Sequence, residues 1–482
     1  LTAATDRVSV ITMRILTYAV ALLLSLIGSA PFAFPASATP PPPIVDNGAL
    51  RSLAGGYRAL TMCSAIFNAR RIGAVRTIAQ VEANEFVGVY PELQPYMTGG
   101  EVVVASNHVL VRWDASQPPS IAYWQPVIGG CTLLRHGAPI ADAISTARVG
   151  PQPRAEQAPW PRGDDDFLWS AADRRRYGGE DPALFDVRNL AFGSRYGAGT
   201  NTTAVVVVRS DVIVAERYAP GFETGTPQRT WSVAKSLAAT IIGAAVHRRL
   251  VDVHAPVNIT QWPEGDPRRA ITLDNLLRMS SGLTSDTAGN RTDAIYFGGA
   301  TVDEDATRWP LIAAPGSTFR YANNDTLLAT LAIGPTFRRH PPRAFFASVD
   351  MHSTVAEVDW HDNYVLSSQV WSTARDLARF GMLYLNNGVW QGRRILPENW
   401  RTYVTTPSGP QPTGDFGYGA GFWLMNRSEG VPPDSFAAFG NRGQYVVIVP
   451  SRNIVIVRRG EDPAGTRFDI AAFTRDVLAA LR

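Results

Sequence analysis

The sequence predicts an α+β domain, an antiparallel sheet flanked by helices, preceded by an accessory N-terminal region. Three observations carry this. Apolar strand-like runs occur at 204–208 and 212–216, parted only by Arg209-Ser210-Asp211, and again at 444–449 and 454–458 around Pro450-Ser451-Arg452-Asn453. Between these pairs, the stretch from 232 to about 246 reads as a helix too hydrophobic to lie on a surface. The chain closes with an amphipathic helix over about 469–481. Strands at both ends with helices between them fit an antiparallel sheet rather than alternating parallel units.

In chain order, the 482 residues begin with a segment that reads as a signal peptide over 1–38. Met13-Arg14 offers an internal start, 15–27 is apolar, and Ala36-Ser37-Ala38 has the small-x-small pattern of a signal peptidase site. The apolar core is short for a span that needs ~20 residues. A secreted or periplasmic bacterial protein is expected, with no stable membrane insertion after cleavage. A linker and accessory region follows over 39–185. It opens with prolines 40–43, then offers a helix at 53–71, strands at 101–104 and 108–112, and a surface connection at Trp160-Pro161-Arg162-Gly163 and Asp164-Asp165-Asp166. The only two cysteines, Cys63 and Cys131, fall here. In an oxidising compartment such an isolated pair is expected to bridge, the plain alternative being two buried thiols; on neither reading are they catalytic.

Composition excludes some functions. Hydrophobic residues at 45% and charged residues at 18% describe a folded chain with ample core. A net charge of +3 demands no acidic partner, Arg174-Arg175-Arg176 reads as a solvated helix face, and no nucleic-acid partner is expected. The seven histidines are scattered, so neither a metal site nor a cofactor is indicated.

The chemistry is expected in the domain at 186–482. Of 45 basic residues only one is lysine, Lys235, three positions after Ser232. Arginine serves everywhere else, and the one task it cannot perform is to release its proton. A desolvated lysine can, and then acts as a general base. Positions i and i+3 share a helix face, and Ser232 falls at a helix start, where free N–H groups favour negative charge. A second element is Tyr321-Ala322-Asn323, on a turn-like segment after Pro315-Gly316. Its phenol can shuttle the serine proton, and Asn323 can hold the lysine or substrate. The competing Tyr384-Leu385-Asn386 lies on a helical face with Leu377 and Phe380 and reads as core. A third element is Gly440-Asn441-Arg442-Gly443-Gln444, a glycine-rich strand entry where a substrate can approach the backbone. Gln444 is its expected oxyanion donor.

Together Ser232-Val233-Ala234-Lys235, Tyr321-Ala322-Asn323 and the glycine-rich strand entry resemble the three boxes of the β-lactamase and penicillin-binding-protein superfamily. Leu276-Leu277-Arg278-Met279-Ser280-Ser281-Gly282-Leu283 is similar to a further family stretch, and residues 373–381 look like its late helix. The branch it resembles is the class C-like group of 6-aminohexanoate-dimer hydrolases and related esterases. The resemblance covers about 200–482 and implies a helical subdomain beside the sheet. It also implies an acyl-enzyme on Ser232 formed from a small-molecule amide or ester. Where penicillin-recognising members carry Lys-Thr-Gly, this chain has Asn441, Arg442 and Gly443, with Arg442 the possible substitute for the lost lysine. A D-alanyl-D-alanine peptidase or β-lactamase is the alternative enzyme. A catalytically silent ligand-binding or sensor protein on the same fold is the alternative of another class.

Overall fold

The computed structural model describes residues 47–139, 141, 158–164, 181–284 and 292–481. The expected signal peptide, prolines 40–43 and the arginine run at 174–176 lie outside the described residues.

The N-terminal layer pairs one helix with one sheet. Helix α1 (Asn47–Arg71) packs on a four-stranded meander, β1 (Glu101–Val104), β2 (His108–Arg112), β3 (Ser120–Gln125) and β4 (Gly130–Leu133). Its face against the sheet is apolar, with Ala59, Met62 and Phe67 fully buried. A disulfide joins Cys63 of α1 to Cys131 of β4. The layer is bonded to the main body through Glu357. This buried carboxylate accepts hydrogen bonds from Ser64 Oγ (2.9 Å), Asn68 Nδ2 (3.2 Å) and the Cys131 N–H (2.9 Å). Burial outweighs those three donors and pushes its pKa up to about 7.

The main body is a seven-stranded antiparallel sheet between two helical layers. Helix α2 (Pro182–Leu190) starts on an Asp181 cap with proline at its first position. It leads into β5 (Thr202–Arg209) and β6 (Val212–Tyr218). Ser210 and Asp211 both have positive φ (50° and 70°), the backbone of the tight turn whose twist suits a hairpin. Helix α3 (Val233–His247) follows the short strand β7 (Gln228–Arg229), which joins β8 (Val355–Ala356) and β9 (Val370–Ser372) in a three-stranded sheet. Helix α4 (Asn323–Ala332) and several short helices fill the interval, and α5 (Ala374–Leu385) returns to the large sheet. Strands β10 (Gly417–Tyr418), β11 (Trp423–Leu424), β12 (Phe436–Gly440), β13 (Gln444–Val449) and β14 (Ile454–Gly460) complete that sheet in the order β10-β11-β12-β13-β14-β5-β6, and α6 (Ile470–Ala480) ends the chain's helices.

Alternation along the strands sorts side chains between the faces. Val206 and Val208 of β5 join the core with α3 and α5, while Val205 and Val207 join the core with Phe473 and Val477 of α6. Both faces are covered, which is why 204–208 is an unbroken apolar run. Leu184 of α2 sits in the same core as α6, so the sheet's outer layer begins before residue 186, the boundary that texture alone suggests. The strands at 202–209, 212–218, 444–449 and 454–460 stand within two residues of the expected ones. Strands β3, β4 and β12 were not anticipated. In β12, Phe436-Ala437-Ala438-Phe439-Gly440 has no β-branched residue and ends in the glycine that suggested a turn.

Candidate active site

Ser232 sits at the N-terminus of α3 as its cap residue, yet its side chain makes no capping bond. Trp231 before it takes the left-handed region at φ 50°, a conformation costly for a bulky residue. The Ser232 hydroxyl instead meets Lys235 one turn on.

Lys235 is 2% exposed. Its ammonium donates to Ser232 Oγ at 3.0 Å, Asn323 Oδ1 at 2.5 Å and the Ser367 carbonyl at 3.0 Å. All three acceptors are uncharged. Burial, aided by the Arg229 cation and opposed by Asp325, lowers the lysine pKa to about 7. The neutral amine is therefore well populated at ordinary pH. Asp325, on the first turn of α4, is itself buried and accepts from the Ser281 hydroxyl at 2.8 Å. Burial raises its carboxyl to about 7.

Tyr321 shares a hydrogen bond with Ser232, and burial raises its phenol well above the usual value despite that bond. It is thus a protonated donor at rest rather than a phenolate. Its ring lies 5.3 Å from Trp423 and 6.0 Å from Tyr418, and Lys235 Nζ stands 5.1 Å from its centroid. Tyr384, by contrast, is fully buried and bonded to Thr240 at 2.7 Å, in the core between α5 and α3.

These groups open into a pocket of about 360 Å³ lined by Tyr90, Trp231, Ser232, Tyr296, Tyr321, Asn323, Ser368, Trp423, Phe439, Gly440 and Asn441. A larger cavity of about 580 Å³, beside Arg249, His254 and Trp400, is lined by none of Ser232, Lys235 and Tyr321. The strand edge that reaches the pocket is the end of β12. Pairing of β11 with β12 stops at Ala437, which leaves the edge from Ala438 onward open toward the serine. A side chain on Gly440 would collide with the Thr230 carbonyl and come within 3.1 Å of the Ser232 nitrogen, so only glycine lets the strand pass this close.

The third sequence element is corrected here. Gly440 and Asn441 line the pocket, but Arg442, Gly443 and Gln444 turn away from it. Arg442 (φ 57°) is 4% exposed and pairs with Glu461 at 2.7 Å. Gly443 (φ 77°) has no room for a side chain against Arg458 and Asp462. Gln444 is fully buried; its amide donates to the Arg442 and Gly460 carbonyls and accepts from Arg459 Nε at 2.5 Å. Its backbone is opposite Gly440 in the ladder, not at the open edge. The glycines had marked the hairpin turn, and the strand preceding that turn, not the one following it, borders the serine.

Residues 191–480, well over half of the chain, match the sequence profile of the β-lactamase family. The chain belongs to that family. It is also 26% identical over 298 residues to the 6-aminohexanoate-dimer hydrolase of Paenarthrobacter ureafaciens, covering 55% of this chain and 74% of that one. Among solved structures it is similar to a candidate β-lactamase from Bacteroides dorei (19% identity, TM-score 0.51, 63% of this chain and 99% of that one). A candidate 6-aminohexanoate-dimer hydrolase from Bacillus anthracis gives 22% identity, a TM-score of 0.49, and coverage of 58% and 78%. At 19% identity the Bacteroides dorei structure bears on fold alone. This β-lactamase-family chain is a serine hydrolase.

Several residues of the β-lactamase-family site escaped sequence reading. Ser367 and Ser368 lie in an irregular segment with no periodic signal, and Tyr90 comes from the accessory layer, some 140 positions from Ser232. Trp231 was findable, standing next to Ser232.

Proposed function

We propose that this protein hydrolyses an amide or ester through an acyl-enzyme on Ser232, with Lys235 as the base. The observation that carries this is the placement of the chain's single lysine, buried, 3.0 Å from the serine oxygen, among neutral acceptors that leave its pKa at about 7. As the neutral amine, Lys235 takes the Ser232 proton while Oγ attacks the substrate carbonyl. The oxyanion is held by the Ser232 N–H at the helix start and, at the open edge of β12, by the Asn441 N–H in place of Gln444. Collapse expels the leaving group, protonated through Tyr321, which is replenished from the Lys235 ammonium. Water attacks the acyl-enzyme by the reverse relay, with Lys235 again as base, and releases the acid.

Acyl transfer to a β-lactam or D-alanyl-D-alanine is less well supported. Among the described residues lining the pocket none is cationic, and Arg442, the one candidate to hold a substrate carboxylate, is committed to Glu461. The Cys63–Cys131 disulfide supports the further proposal that the protein works in an oxidising compartment outside the cytoplasm. The deciding experiment is intact-mass analysis after exposure to a fluorophosphonate. One adduct on Ser232, absent in Ser232→Ala, is the expected result. A folded wild type that stays unlabelled would overturn the hydrolase mechanism in favour of a binding role.

A further inference from the structure

Six of the eleven residues lining the pocket are aromatic: Tyr90, Trp231, Tyr296, Tyr321, Trp423 and Phe439. By ring contact they fall into two sets. Tyr90 meets Trp231 at 6.2 Å and Phe297 at 5.8 Å, with Tyr296 next to Phe297 at 5.9 Å. Tyr321 meets Trp423, which stacks on Phe439 at 5.8 Å. The remaining lining residues, Ser232, Asn323, Ser368, Gly440 and Asn441, carry no charge. The nearby cations are behind this surface. Lys235 lies beneath Ser232, and Arg229, 3% exposed, sits 3.9 Å over the Trp231 ring and donates to Ser368 Oγ at 2.8 Å. A carboxylate entering here would lose its water without gaining a paired cation among the described residues, which is strongly unfavourable. A ring would gain edge-to-face and stacked contacts instead. The volume, about 360 Å³, is ample for one, since a dry cavity of ~150 Å³ already accepts benzene.

Tyr90 is the one lining residue that belongs to the N-terminal layer, and its loop is fastened to the hairpin turn beside the nucleophile. Arg442 donates from Nη2 to the Asn84 carbonyl and from Nη1 to the Val87 carbonyl, both at 2.8 Å. The Ala464 N–H donates to the Gly88 carbonyl at 2.6 Å, and Gln94 closes the loop by accepting from the Gly88 N–H at 2.6 Å. The buried arginine of the third motif therefore places an accessory-layer ring in the pocket.

We propose that the N-terminal layer completes the substrate pocket, which selects uncharged acyl groups bearing an aromatic ring, with Tyr90 as a specificity-determining residue. This rests on the acyl-enzyme reading. The test measures the second-order rate of Ser232 labelling by fluorophosphonates carrying an ethyl, a benzyl or a carboxyethyl group. In wild type the benzyl reagent is expected to outpace the ethyl one by about tenfold after correction for intrinsic hydrolysis, and the carboxyethyl reagent to be slowest. Tyr90→Ala should collapse the benzyl-to-ethyl ratio, and Tyr90→Phe should keep it. Tyr90→Leu carries the same test should the alanine variant not fold. An unchanged ratio in Tyr90→Ala or Tyr90→Leu, or a carboxyethyl rate matching the ethyl rate, overturns the inference and leaves the mechanism standing. Absence of labelling by all three reagents in folded wild type overturns the mechanism itself.

Discussion

Lys235 in the floor of the pocket and Arg442 in the hairpin turn beside it are both buried cations, set in opposite surroundings. Lys235 is surrounded by a hydroxyl, an amide oxygen and a carbonyl. Nothing in direct contact repays the lost hydration of its charge, so burial pulls the pKa down to about 7. Arg442 is equally deep, but its Nε bonds the Glu461 carboxylate and its terminal nitrogens bond two carbonyls of the accessory layer. Burial alone would lower its pKa, yet Glu461, Tyr57 and Glu85 together raise it. On the proposed mechanism Lys235, among neutral acceptors, serves as the base, whereas Arg442, facing a carboxylate, serves as a fastening. The residue types match: lysine can give up its proton, and arginine offers a planar fork of donors.

The contrast breaks most sharply at Lys235→Arg. The variant keeps positive charge and removes the base, so Ser232 labelling by a fluorophosphonate should fall by about 10²–10⁴-fold with the fold intact. Retained labelling would mean that another group takes the serine proton. Next in size is Arg442→Ala. It leaves Glu461 buried and uncompensated and frees the 84–94 loop, at a cost of about 3–5 kcal/mol, read as a lower midpoint in urea unfolding. An unchanged midpoint would show that the pair fastens nothing.

These two cations also mark how far the sequence could be read. Lys235 was conspicuous because the chain spends arginine everywhere else, and its partner Ser232 follows from helical spacing. Tyr321 was separable from Tyr384 because a helical apolar face betrays core packing, and Tyr384 is indeed fully buried. The large sheet was legible where valine and isoleucine fill its central strands. The hairpin at 440–444 was not. Sequence shows that a turn is present but not which of its two strands borders the serine, since that depends on where the short strand β11 stops pairing. Nor could it show that Arg442 points toward residues 84–87, because Glu461 and the accessory loop meet it only in the folded chain. Tyr90 was invisible for the same reason.

The smaller effects concern how finely the lysine is tuned. With a pKa of about 7 in the folded protein, Lys235 is protonated below that pH and inactive as a base. The Ser232 labelling rate should therefore rise about tenfold per pH unit up to about 7 and level off above it. A profile flat from pH 5 to 9 would remove Lys235 from the base role. Asp325 then tests the electrostatic origin of that limb. Its carboxylate favours the ammonium form, so Asp325→Asn should lower the lysine pKa and move the limb to lower pH, making the variant faster than wild type relative to its own plateau near pH 6. The effect is modest because Asp325 is itself only part-ionised there, burial having raised its pKa to about 7. The Asn side chain can still accept from the Ser281 hydroxyl, which keeps the local hydrogen bonding comparable. A limb that stays in place would mean that desolvation, with Arg229, sets the lysine alone. A limb displaced upward would contradict the assigned sign of the Asp325 interaction.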